Sequence, residues 1–147
     1  MAPNRADARV ELASILRTVL AGDGKPVTAV YEYQPATFNG QSPVVTVSSA
    51  GAHHPSFTHQ GNQATFSYYI HVFVLYSDAD SGWTESDCEN RLDLIEKNII
   101  ETLIANRVHQ PYWNLLHQDE PSNAISVKIG GLEYRVEVIT VHTEVYA

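Results

Sequence analysis

The sequence predicts an α+β fold, a mainly antiparallel sheet with two helices packed on it. Three observations predict it. Two stretches, one near the start and one past the middle, place apolar residues at helical spacing. Several other stretches alternate apolar and polar residues. A Gly130-Gly131 pair separates two of these alternating runs, as a tight hairpin turn requires. The predicted order is helix, strand, strand, strand, helix, hairpin, in one domain over residues 1–147. A chain of 147 residues typically buries about 70% of its unfolded surface, so this core needs no disulfide or metal.

The first helix is predicted from Arg5 to Ala21. Ala8, Leu12, Ile15, Leu16 and Val19 form its apolar stripe, Asn4 caps it, and Gly22-Asp23-Gly24 ends it. Val27 to Gln34 alternates as a strand, and Val44 to Ser49 is a second, shorter one. Ala50 to Gln63 is polar, contains glycine and lacks periodicity, which predicts a long exposed loop. Ala64 to Tyr76 is the strongest strand. Its thirteen residues span roughly 43 Å, against a diameter of roughly 38 Å for a compact chain of this length. Such a strand must bend or project toward a neighbour. The second helix starts at Thr84 or Ser86 and ends near Asn106, with Cys88, Leu92, Ile95, Ile99 and Leu103 on its stripe. Val108 to Asn123 is a loop. In the closing hairpin Ile129 faces Leu132, Val127 faces Tyr134, and Lys128 faces Glu133. After Val138 the apolar phase flips to Ile139, Val141 and Val145. A bulge would do this, or the last residues face another surface.

Nine Lys and Arg stand against seventeen Asp and Glu, a formal charge of −8. No Lys or Arg falls between Lys25 and Arg91, a stretch holding Glu32, Asp78, Asp80, Glu85, Asp87 and Glu89. Phosphate binding needs clustered positive charge, so this is not a DNA-gripping domain. The distribution suits plain solubility, or a surface that repels nucleic acid such as the wall of a conduit. Glu32, Asp78 and Asp80 are the candidates to line such a wall. No apolar run approaches the roughly 20 residues of a membrane span, and no membrane partner is expected. MAPNRADARVEL lacks the apolar stretch of a secretory signal.

The single cysteine, Cys88, sits on a helix stripe and reads as a buried thiol. His53, His54 and His59 cluster in the predicted loop, but a flexible loop offers no rigid frame for an ion, so no metal is expected. His71 and His142 lie in strands and read as satisfied structural histidines. No HExxH, Gly-x-Ser-x-Gly, Walker or GxGxxG pattern occurs, so neither catalytic residues nor a cofactor are predicted. Tyr112-Trp113 reads as a plug of the core, or as an anchor at an interface.

Taken in order, the short first helix, VTAVYEYQPATFNGQSPVVTV, the long strand FSYYIHVFVLY, the helix TESDCENRLDLIEKNIIETLIAN and the ending IGGLEYRVEVITVHTEVY form a pattern. It resembles the tail terminator (tail completion) proteins of long-tailed, lambda-type bacteriophages, through size, element order and texture over nearly the whole chain. The resemblance implies a non-enzymatic virion protein, assembled in the host cytoplasm as a hexameric ring of copies of itself. It implies two further partners, the tail tube protein, whose polymerisation the ring ends, and the head–tail connector protein that docks on it. Genomic DNA would pass through without specific binding. By position, the interface segments would be Ala50–Gln63, with His53, His54, Phe57 and His59, and the surroundings of Tyr112 and Trp113. The alternatives are a head-closure or other neck or minor tail protein and a cytosolic regulatory dimer. A third is a small-molecule-binding or enzymatic α+β domain with Tyr69 and His71 in a pocket between sheet and helix.

Overall fold

Asn4 accepts the backbone N–H of Asp7 at 2.8 Å and starts helix α1, Arg5–Leu20. The computed structural model describes residues 4–58 and 61–146, without the side chains of 55–58, 61 and 62. Ala8, Leu12, Ala13, Leu16 and Leu20 are the buried face of α1, while Val19 is exposed. The buried stripe thus runs on a four-residue step, one position off the predicted end. Helix α2 spans Glu85–Ala105 and opens on a capping box. Thr84 accepts the Asp87 N–H at 3.2 Å, and Asp87 accepts the Thr84 N–H at 2.9 Å. The whole predicted stripe, Cys88, Leu92, Ile95, Ile99 and Leu103, is buried.

Six strands form one mixed, curled sheet: β1 Ala29–Tyr31, β2 Val44–Thr58, β3 Gly61–Leu75, β4 Leu115–His117, β5 Asn123–Ile129 and β6 Leu132–Tyr146. The spatial order is β1-β2-β3-β6-β4, with β5 also on β6. Two helices and this sheet agree with the α+β class, but the predicted arrangement needs four corrections. The sheet is mixed, because β1 runs parallel to β2. β1 is three residues long rather than eight, since the side chain of Arg17 takes the Val30 carbonyl at 2.8 Å and Val27 donates instead to Leu20. Ala50–Gln63 is no loop: β2 and β3 run through it as an antiparallel hairpin, with irregularities between Ser49 and Gly51 and between His53 and Ser56. His59 and Gln60 lie outside the described residues. Finally, the predicted Val108–Asn123 loop holds β4, paired with β6 over Glu144 to His142.

The sheet buries both faces, unequally. Toward the helices, Val45, Val47, Phe66, Tyr68, Ile70, Val72, Val74, Ile139, Val141 and Val145 join the buried residues of α1 and α2. A second, smaller core lies on the opposite face at one end, where Phe38, Val44, Phe73, Tyr134 and Val136 meet. The hairpin turn is as predicted. Gly130 and Gly131 take φ of 60° and 81°, and Ile129 faces Leu132, Val127 faces Tyr134, Lys128 faces Glu133. The phase flip in β6 needs no bulge. Its register with β3 is unbroken from Tyr134 against Leu75 to Tyr146 against Gln63. Tyr134 and Val136 fill the small core, and Ile139, Val141 and Val145 fill the large one on the other side.

Candidate functional site

The outer edge of β2 is uncovered over most of its length. β1 pairs only with Val44, Val45 and Thr46. Beyond Thr46, among the described residues, no backbone hydrogen bond joins that edge to another element. The hairpin is also free of formal charge: from Tyr33 to Ser77, 45 residues include no Asp, Glu, Lys or Arg. His53 is exposed and stands opposite Thr65. His54 is exposed, its ring edge-on to Phe66 at 5.9 Å. Phe57 pairs through its backbone with Asn62. His59 lies outside the described residues.

The two aromatic candidates separate. Trp113 is fully buried in the large core and donates its ring N–H to the Asn106 carbonyl at 2.8 Å. It is the plug of the core and presents no exposed surface as an anchor. Tyr112 is half-buried and stacks on His109 at 5.5 Å, and His109 in turn meets Glu11 of α1 at 2.6 Å. Tyr112 borders a shallow cleft with Asp7, Val10 and Glu11.

Asp78 and Asp80 lie together in the turn after β3, and Glu32 lies apart from them just past β1. Asp78 is occupied locally, accepting the Asp80 N–H at 3.1 Å and the Ser81 hydroxyl at 3.0 Å. Glu32 follows Tyr31, which is level with Thr46 and His71, whereas Asp78 lies three residues past the end of β3. Two strand spacings and several residues of rise put them on the order of 20 Å apart.

Tyr69 and His71 point away from the helices, so no pocket between sheet and helix contains them. His71 stacks on Phe73 at 5.8 Å, and burial pushes its pKa down. Its Nδ1 is buried without a protein partner, so it is not the satisfied histidine that was predicted. Three shallow clefts among the described residues enclose about 220 to 280 Å³.

The sequence reading missed a cluster on the sheet face opposite the helices. Register sets His117 of β4 beside His142 of β6, ring centroids 5.3 Å apart. His142 Nδ1 lies 2.7 Å from the Ser67 hydroxyl, and its Nε2 lies 2.8 Å from Glu120. The hydrogen bond from His142 holds the Glu120 carboxyl below the usual carboxylate range. His117 faces Asp119 through Nδ1 at 3.0 Å and Glu144 through Nε2 at 3.2 Å. Ser67, His142 and Glu120 stand in the order hydroxyl, base, acid. Ser67 lies mid-strand between β2 and β6, however, where the ladders occupy the backbone N–H groups an oxyanion would need. Among the described residues no three His, Cys, Asp or Glu groups converge to hold a metal ion. The available signal was the run His117-Gln118-Asp119-Glu120, two kinds of acid just after a histidine.

Burial, and secondarily the Glu89 charge, pushes the Cys88 thiol up to about 11, which makes it a poor nucleophile. Among the described residues, no helix is long and apolar enough to cross a membrane. A scan of this chain against protein-family models finds no match, and a search of curated proteins finds none either.

Proposed function

We propose that this chain is the subunit of a self-assembling ring that caps a phage tail tube, ends its polymerisation and receives the head connector. One observation carries the reading: the strands outrun the helices. β2, β3 and β6 are each 15 residues long, roughly 50 Å at 3.3 Å per residue. α1 has 16 residues and α2 has 21, roughly 24 and 32 Å. The sheet therefore extends past its own cover and offers edge and face to neighbouring copies. The absence of Lys and Arg between Lys25 and Arg91 supports a lumen through which DNA slides without gripping.

The test is assembly with function. Sedimentation and negative-stain imaging of the purified chain should show rings, and adding the chain to polymerising tube protein should fix tube length. A protein that stays monomeric at high concentration and leaves tube growth unchanged overturns the reading.

A further inference from the structure

We propose that neighbouring copies join by continuing the sheet, the open edge of β2 in one copy pairing with the outer edge of β5 in the next. The inference rests on the ring reading and names the surfaces that would form it.

Among the described residues, two edges of the sheet lack a neighbouring strand. On one side is β2 from Val47 to Thr58, twelve residues or roughly 40 Å. Proteins usually guard such an edge with charges, bulges, proline, a covering element or brevity, and β2 has two irregularities, after Ser49 and after His53. This one carries no Asp, Glu, Lys or Arg, and it is long. The Pro55 ring removes one donor, late in the edge. On the other side is β5, which pairs with β6 along one edge only. Among the described residues, its outer edge makes no backbone hydrogen bond. Its first four residues are exposed, including Ile125 at 42%. A strand held on one side with an exposed isoleucine gains from a second neighbour.

The directions agree. β2 and β6 both run antiparallel to β3, and β5 runs antiparallel to β6. In a head-to-tail arrangement about an axis near the strand direction, the β5 edge therefore meets the next β2 antiparallel, the more stable pairing. Unlike edges meeting around a closed ring cover the outer edge of β5 and up to seven of the twelve open residues of β2. The heights differ. β5 is level with the start of β2, since Val136 faces both Ile125 and Phe73, and Phe73 faces Val44. Pairing β5 with the open segment staggers neighbours by about seven residues, roughly 23 Å, so the strands lie oblique to the ring axis, as barrel closure requires. The charge-free stretch also places no like charge opposite Lys128, the one charged residue of β5.

Cysteine pairing tests this. Antiparallel partners bring Cα atoms to about 4.5–5.5 Å, within disulfide reach. The native Cys88 is buried and does not compete. Ala50 and Ser126 are exposed, on opposite sides of the sheet. The double variant Ala50→Cys/Ser126→Cys, with neighbouring pairs drawn from Ser48 or Ala52 and Ala124 or Lys128, is oxidised mildly. A covalent ladder beyond the dimer that needs both cysteines is the expected result. As a second arm, Ala52→Lys puts a charge on the edge and should weaken self-association at least tenfold, with an unchanged melting curve for the monomer. Dimers from Ala50→Cys alone, with no ladder, mean that β2 pairs with β2 and overturn the proposal. Rings that form normally, without any of these cross-links and despite Ala52→Lys, also overturn it while the ring reading stands. A strictly monomeric protein removes both.

Discussion

The two halves of the sheet are built on different rules. In the half holding the hairpin turn, the strands are covered on both faces. Val72 and Val74 lie under the helices, and Phe38, Phe73 and Tyr134 pack on the other side, with Phe38 and Phe73 rings 4.7 Å apart. In the far half only the helix side is buried. The opposite face carries Ser67, His142, Glu144 and His117, with the Ser67 hydroxyl against His142 Nδ1, His142 Nε2 against Glu120, and His117 Nε2 3.2 Å from Glu144. One strand, β6, runs through both halves and changes which alternate residues it buries without changing register. An inverted hydrophobic phase therefore reports where a strand is covered, and need not mark an irregular backbone. The doubly covered half is suited to hold the fold, and the half-covered one to meet partners.

The largest break in this comparison comes from the plug of the main core. Trp113→Ala removes a fully buried indole and leaves the Asn106 carbonyl without its donor. It should cost about 3–5 kcal/mol in equilibrium unfolding. A loss below about 1 kcal/mol would contradict the assignment of Trp113 to the core. Phe38→Ala strikes the smaller core, which has five fully packed members at the sheet's margin. It should cost about 3 kcal/mol, at the low end for a buried phenylalanine, because a margin collapses more readily. Amide exchange then separates the halves: Val136 should lose protection while Leu116 keeps it. Equal loss at both positions would show that the two halves do not act separately.

How legible these halves were in the sequence follows the same division. The α2 stripe and the Gly130-Gly131 turn could be read directly, because a helix buried on one face and a turn needing positive φ leave local signatures. The extension of β2 through Ala50–Thr58 could not. Its residues show no apolar alternation, and Gly51 and Pro55 signal a loop. β4 has three residues, and only its ladder to β6 makes it a strand. Trp113 could be recognised as a plug or an anchor, and burial decides for the plug. His117 and His142 are 25 positions apart and meet only through that ladder, so no local pattern joins them. The open edges of β2 and β5 were illegible for the same reason, since an edge is a property of the topology.

A smaller effect tests the start of α2. Thr84→Ala removes the side-chain half of the capping box and should cost about 1 kcal/mol. The cost should appear as an earlier melt of the whole molecule, because Cys88 and Leu92 in the following turns belong to the main core. An unchanged melting temperature would mean that packing alone fixes the start of the helix.

The smallest effect sets the halves against each other by pH. In the far half, Glu120 has a folded pKa depressed by the hydrogen bond from His142. A depressed carboxylate contributes stability above its unfolded value of about 4.3, and that stability is lost as pH falls through the folded value. In the doubly covered half, Glu96 of α2 has its pKa raised by burial, and then by the charges of Glu137 and Asp93. The sign there is opposite. Its favourable contribution is complete below about pH 4.3 and is lost as pH rises through the raised folded value. Acidification from pH 6 to pH 3 should therefore loosen Leu116 amide protection before that of Val136. Glu120→Gln should flatten the acid-side loss of stability. Glu96→Gln should raise the melting temperature slightly at pH 7 and leave it unchanged at pH 3. If Glu120→Gln leaves the acid-side loss of stability unchanged, the contact between His142 and Glu120 carries no stability, and the polar face of the far half is held without it.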